Sequence, residues 1–171
     1  MPSLFVIGGA RSGKSRYAQG RAEATGLSPL FIATAQAYDD EMRERIERHR
    51  ADRGPQWRTV EAPVDLAGAL RAHDAPDRVL LVDCLTLWVT NLMLGGQDVA
   101  DATEDLARAL NDARGAVILV ANEVGLGIVP DNALARRFRD AAGIVNQKIA
   151  AVANEVQLLA AGLPLCLKKN R

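Results

Sequence analysis

Eight residues near the N-terminus, Gly8-Gly9-Ala10-Arg11-Ser12-Gly13-Lys14-Ser15, constrain this chain more than any other stretch. They fit the pattern G-x-x-x-x-G-K-[ST], with the apolar run Leu4–Ile7 before them and a helix-like stretch, about Ser15–Ala24, after. Glycines let the backbone curl with its N–H groups pointing inward, and the helix start adds the positive end of its dipole. Strand, glycine-rich loop and helix in that order predict a phosphate cradle. Lys14 is then expected to reach the β- and γ-phosphates of a nucleoside triphosphate, and Ser15 to place its hydroxyl on Mg2+.

The rest of the chain alternates in the same way. Leu30–Ala33, Val79–Val82 and Val117–Val120 are short continuous apolar runs, as expected of strands covered on both faces. Helix-like stretches fall at about Asp39–Arg50, Val64–Arg71, Leu85–Leu94, Ala102–Ala113 and Asn132–Ala153. This alternation predicts an α/β fold with a mostly parallel sheet. Val156–Ala160 and Leu165–Leu167 flank Ala161-Gly162-Leu163-Pro164, which predicts two strands joined by a short turn and an antiparallel edge at the C-terminus. Nothing marks a boundary, so residues 1–171 read as one domain.

Two further stretches carry chemistry. Arg78-Val79-Leu80-Leu81-Val82-Asp83 is an apolar strand ending in a carboxylate, the form of a Walker B strand, which makes Asp83 a candidate for Mg2+. Within Asp39–Arg53, Met42, Ile46 and His49 share one helix face among Arg43, Arg45, Arg48, Arg50 and Arg53. Pairs such as Glu41–Arg45 and Glu44–Arg48 suit a solvated helix, and a lone histidine on an apolar stripe is compatible with a structural role. A neutral imidazole is also a competent nucleophile toward phosphorus, and nearby arginines both disfavour its protonation and bind phosphates. His73, in His73-Asp74-Ala75-Pro76-Asp77, reads as surface structure.

Composition narrows the classes. Lys+Arg and Asp+Glu are both 21, and aromatic residues make up 4% of the chain. Zero net charge gives no global pull toward nucleic acid or an anionic membrane, and so few rings make a base-stacking platform implausible. Cys84 and Cys166 each lie in apolar runs and are expected to be small buried hydrophobes. No basic segment precedes Leu4–Ile7, and that run is too short to span a bilayer, so the expectation is a cytoplasmic protein with no membrane anchor.

The ordered motifs resemble a known family. After Gly8–Arg16 come Phe31-Ile32-Ala33-Thr34-Ala35, Asp40-Glu41-Met42, Arg45-Ile46, His49 and Trp57-Arg58-Thr59-Val60-Glu61. Asn122-Glu123-Val124-Gly125-Leu126-Gly127-Ile128-Val129-Pro130, Arg139-Asp140-Ala141-Ala142-Gly143 and Val145-Asn146-Gln147 follow. The set is similar to the bifunctional adenosylcobinamide kinase / adenosylcobinamide-phosphate guanylyltransferase family over nearly the whole chain. The resemblance implies a RecA-like P-loop NTPase fold, a three-layer sandwich, and a homotrimer. It implies phosphorylation of adenosylcobinamide by GTP or ATP, then transfer of GMP from GTP to that phosphate through a GMP-histidine at His49. It also implies nucleotide contacts at Gly8, Gly9, Ala10, Arg11, Ser12, Gly13, Lys14 and Ser15, at Ala33, Thr34 and Ala35, at Arg50, Ala51, Asp52 and Arg53, and at Glu61 and Asp83.

Several roles stay open on the sequence. Glu61 accepts hydrogen bonds only, which suits the N1–H and amino group of guanine; a salt bridge to Arg58 or another arginine is the alternative. Glu123, beyond the carboxyl end of an apolar run, is either a base for the substrate hydroxyl or a loop-fixing carboxylate. Gly125-Leu126-Gly127 is a flexible loop over the substrate or a surface turn. Two rivals to the bifunctional reading are a simple P-loop small-molecule kinase and a nucleotide-dependent switch.

Overall fold

Strand β1 (Ser3–Gly8) is buried at every residue, which follows from its place inside a sheet covered on both faces. The computed structural model describes residues 3–36 and 53–170. Among these, β1 runs into the glycine loop and then helix α1 (Lys14–Glu23). Strands β2 (Ser28–Ala33), β3 (Arg58–Glu61) and β4 (Arg78–Asp83) follow, with α2 (Leu66–His73) between the last two. Next come α3 (Leu85–Leu94), α4 (Val99–Asp112), β5 (Ala116–Asn122), α5 (Ala133–Val152), β6 (Glu155–Ala160) and β7 (Leu163–Lys169).

These strands form one sheet in the order β3-β2-β4-β5-β1-β6-β7. All neighbours are parallel except β6 and β7. The predicted α/β architecture and antiparallel C-terminal edge are therefore present. The predicted strands and helices in the described residues agree to within a few residues, while the predicted helix over Asp39–Arg50 lies outside them. Strand β3 was not expected: Arg58-Thr59-Val60-Glu61 has one large apolar residue, and only pairing with β2 makes it a strand.

One face of the sheet packs on α2–α5 through Leu66, Leu70, Trp88, Leu92, Leu106, Leu110, Val145 and Ile149. The other receives α1, whose Ala18 and Ala22 are fully buried. Small side chains there let the helix lie close to the strands that follow and flank the glycine loop. The result is three layers. Cys84 joins this core as expected, but Cys166 is exposed, because β7 is an edge strand with little packed against it. His73 is the half-buried last residue of α2, and its carbonyl accepts a hydrogen bond from Arg78.

An ion pair fixes α1 to β6. Arg21 binds Glu155 through two hydrogen bonds, Nη1 to Oε1 at 2.7 Å and Nη2 to Oε2 at 2.9 Å. The bond from Arg21 holds the Glu155 carboxyl down at about 2, against an ordinary value of 4.5. A carboxylate depressed on folding stabilises above its unfolded pKa and loses that contribution as pH falls through its folded one. The Glu155 contribution is thus lost between about pH 4.5 and 2. Because the Arg21 side chain is 37% exposed, screening limits it to about 1–2 kcal/mol. Glu155→Gln should lower stability by that amount at pH 7 and flatten the acid limb of the stability curve. Urea unfolding at pH 7, 4 and 2.5 measures this.

Candidate functional site

The parallel registers align the strand ends. Gly8 pairs with Asn122, Ala33 with both Asp83 and Glu61, and all five strands leave the sheet at their carboxyl ends. Ligands of open α/β sheets bind along this line. At about 4.8 Å per strand, Asp83 stands two strands, about 10 Å, from the end of β1, and Glu61 four strands, about 19 Å. Strand β5 lies between β1 and β4 and brings Asn122 and Glu123 between the glycine loop and Asp83.

The loop after β1 has the form the sequence predicts. Gly13 takes φ +90°, a left-handed conformation that a side chain disfavours, and caps α1. Helices α2, α4 and α5 start with Asp65, Asp98 and Asn132, each accepting a hydrogen bond from an amide in its own first turn. Helix α1 starts from Gly13 with no side-chain cap, so no carboxylate competes with an anion for its positive end. A Cβ on Gly8 would lie 2.6 Å from both the Leu159 carbonyl oxygen and Ser12 Oγ, so glycine is required for packing alone. Lys14 Nζ donates to the Gly9 carbonyl at 3.0 Å, which holds its ammonium over the loop. Arg11 has a positive φ of 55°, and Gly9, Ala10 and Arg11 are exposed.

A buried polar network fixes the neighbouring ends. Thr34 is fully buried; its hydroxyl donates to the Cys84 carbonyl at 2.7 Å and accepts from Cys84 N at 2.9 Å. Its side chain therefore ties the end of β2 to the end of β4 and holds Asp83 in place. Asn91 Nδ2 donates to the carbonyls of Thr34 and Pro63, both at 2.8 Å. Thr86 Oγ1 accepts from Asn122 N at 2.7 Å, and Asn146 Nδ2 donates to Asn122 O at 3.3 Å. Burial, then the charge of Asp83, pushes the Cys84 thiol up, so it remains protonated and is no nucleophile.

The other sequence-selected residues separate into three groups. Gly8–Ser15, Ala33–Ala35, Glu61 and Asp83 share the carboxyl-end row, with Ala35 half-buried and Glu61 exposed. Arg53 stacks its guanidinium 3.5 Å from the ring centre of Phe31, on the α1 side of β2. His49, Arg50, Ala51 and Asp52 lie outside the described residues. Of the two readings of Glu123, the geometry favours the loop-fixing one: its Oε1 accepts from Gly125 N, and its own N–H donates to the Gly8 carbonyl at 3.0 Å. Beyond it, Leu126, Ile128 and Val129 are exposed. Thr86, Asn91 and Asn146 carried no predicted role. A polar Asn91 inside the apolar Leu85–Leu94 helix was the signal for one of them.

Residues 4–167 match the family described as cobinamide kinase / cobinamide phosphate guanyltransferase. The bifunctional adenosylcobalamin biosynthesis protein CobP of Pseudomonas aeruginosa is 50% identical over 166 residues, 96% of each chain. The corresponding CobU of Salmonella typhimurium is 43% identical over 182 residues, 96% of this chain and 99% of that one. Among solved structures, the flagellar accessory protein FlaH of Methanocaldococcus jannaschii superposes with a TM-score of 0.53 at 13% identity, over 99% of this chain and 79% of its own. A Pyrococcus horikoshii protein gives 0.59 at 7% identity, over 99% and 87%. Those two share the fold alone.

The Lys14 ammonium, held at the Gly9 carbonyl, is the candidate charge for a bound phosphate. Lys14→Ala should weaken nucleotide binding and reduce phosphoryl transfer at least about a hundredfold, the usual scale for losing a preorganised charge stabiliser. Calorimetric titration with nucleotide and a steady-state kinase assay test this, and an unchanged rate would remove the loop from the mechanism.

Proposed function

The chain belongs to the cobinamide kinase / cobinamide phosphate guanyltransferase family, and from that premise we propose how its residues divide the two reactions along the row of strand ends. It is an adenosylcobinamide kinase and adenosylcobinamide-phosphate guanylyltransferase. The observation that carries the division is the register that sets Gly8, Asp83, Ala33 and Glu61 at one end of one sheet.

In the first reaction the Gly8–Ser15 loop holds the triphosphate, and Lys14 neutralises charge on the phosphoryl group passing to the substrate hydroxyl. The donor set fits Mg2+: the Ser15 hydroxyl and the Asp83 carboxylate are hard oxygen ligands and would hold the cation together with phosphate oxygens and water. Among the described residues no three His, Cys, Asp or Glu side chains cluster to hold a metal without phosphate. Bound there, Mg2+ neutralises charge on the phosphate oxygens. The inward-turned Thr34 hydroxyl keeps Asp83 in register while Ala33 and Ala35 offer backbone to the nucleotide.

In the second reaction the His49 imidazole attacks the α-phosphorus of GTP. A nitrogen–phosphorus bond forms, the bond to the β-phosphate oxygen breaks, and pyrophosphate leaves. A phosphate oxygen of adenosylcobinamide phosphate then displaces the imidazole, giving adenosylcobinamide-GDP and free His49. Arg50 and Arg53 serve the phosphate charge beside Ala51 and Asp52. Glu61 accepts from guanine N1–H and the amino group, at the far end of the row from the loop. We further infer a homotrimer, one α/β domain carrying both reactions, and a cytoplasmic setting; among the described residues no helix is long and apolar enough to cross a membrane.

Two experiments test this division. Glu61→Gln replaces one acceptor with a donor, and GTP preference over ATP in the transferase step should fall by about one to two powers of ten. Competition assays with both nucleotides measure it, and an unchanged preference returns Glu61 to a structural salt bridge. Intact mass spectrometry after incubation with GTP and Mg2+ alone should show a GMP adduct that survives alkali and breaks in acid. His49→Ala should abolish that adduct and guanylyl transfer while sparing part of the kinase rate. A folded His49→Ala protein that still makes adenosylcobinamide-GDP at the normal rate overturns the histidine mechanism.

A further inference from the structure

The glycine loop is gripped from outside by the C-terminal hairpin. Gly162 N donates to the Ser12 carbonyl at 2.9 Å. A Cβ on Gly13 would stand 3.3 Å from Gly162 Cα, so the two backbones touch. Ser12 is buried, and its side chain is packed against Gly8 rather than turned to a protein partner. The loop is thus seated on the hairpin by a main-chain bond and by backbone contact.

The hairpin is built to place that one amide. Ala161 and Gly162 are the residues between β6 and β7, with φ +51° and +81°. Positive φ at both central residues is the pattern of a type I′ turn, whose twist matches paired antiparallel strands. Strand β6 pairs in parallel with β1 up to Gly8–Leu159, so the turn emerges beside the loop. The Ala160–Leu163 pair closes the turn on the β7 side.

We propose that Gly162 is a positioning residue for nucleotide binding. The Ser12–Gly13 peptide is planar and trans, so fixing its carbonyl on the hairpin turns the Gly13 N–H to the opposite side, away from Gly162. That amide opens helix α1, where the positive end of the helix dipole lies. The hairpin amide thereby sets the direction of a loop amide that faces phosphate, without touching the ligand. This rests on reading Gly8–Ser15 as the phosphate cradle.

Three variants and one measurement on the unaltered enzyme test it. Gly162→Val places a β-branched residue at φ +81° and displaces the amide. Inserting Gly-Ser between Ala161 and Gly162 lengthens the turn while β6 and β7 stay paired. Each should raise the Kd for GTP and for ATP about three- to tenfold, the scale of one lost hydrogen bond, with a smaller change in kcat and none in affinity for the corrin substrate. Gly162→Asn keeps the N–H in a residue that tolerates left-handed backbone, and should stay within about threefold of the parent. In the unaltered protein, hydrogen exchange at the Gly162 amide should slow when GTP is bound. Folded variants that bind nucleotide like the parent, or Gly162 exchange indifferent to saturating GTP, overturn the proposal. Lys14→Ala run in parallel separates the two readings: if it also binds nucleotide normally, the phosphate cradle itself is wrong.

Discussion

Strand β1 is paired with β5 on one side and β6 on the other, and the residue at its carboxyl end has no room for a side chain. Every other part of the candidate site is placed relative to that end. The β5 pairing carries Asn122 and Glu123 alongside Gly8, and the Glu123 amide closes the gap with a bond to the Gly8 carbonyl. The β6 pairing carries the Ala161–Gly162 turn to the opposite side. Parallel hydrogen bonding therefore does more than stabilise the core. It converts the position of one glycine into the positions of groups as far away as Glu61, because each register fixes the next.

Burial supplies the second constraint. The loops that leave the carboxyl ends carry backbone amides and carbonyls close to a packed interior, and such groups cost free energy unless paired. Thr34, Thr86, Asn91 and Asn146 meet that cost from side chains just beyond β2 and on α3 and α5. Each bond joins two segments that are remote in sequence. The same atoms that remove a folding penalty thus hold Asp83 and Asn122 where a ligand would meet them. Stability and preorganisation come from one network, so a change that weakens it is expected to affect both.

The sequence made the glycine loop, the Asp83 strand and the antiparallel C-terminal pair legible, because each depends on local rules. A loop with glycine at fixed spacing has few alternatives, a continuous apolar run asks for a covered strand, and Ala161-Gly162-Leu163-Pro164 between two apolar runs asks for a short turn, which the structure confines to its first two residues. What it did not show depends on partners far along the chain. Strand β3 exists through its pairing with β2, not through its own residues. Cys166 sits in an apolar run yet is exposed, since strand order makes β7 an edge and no local pattern reveals strand order. The inward turn of the Thr34 hydroxyl toward Cys84 joins residues fifty positions apart. Periodicity cannot report such a contact, whereas the odd polar residue in an apolar helix, Asn91, can at least be noticed.

The likeness to FlaH and to the Pyrococcus horikoshii protein, at 13% and 7% identity, separates architecture from chemistry. In this chain the strand, glycine loop and helix set a helix N-terminus at one end of the sheet, and a fold by itself is indifferent to substrate. The chemistry depends on the side chains displayed along the row. In this chain a carboxylate, Glu61, stands four strands from the cradle, and the histidine-bearing stretch falls between β2 and β3 in the sequence. A phosphoryl transfer alone needs the cradle, a cation and an aligned hydroxyl. A carboxylate that selects a base and a nucleophile that stores a nucleotide are superfluous to it. In the proposed second reaction Glu61 takes the first role, from the same sheet end as the cradle, and His49 the second, so that reaction asks for residues the first does not use.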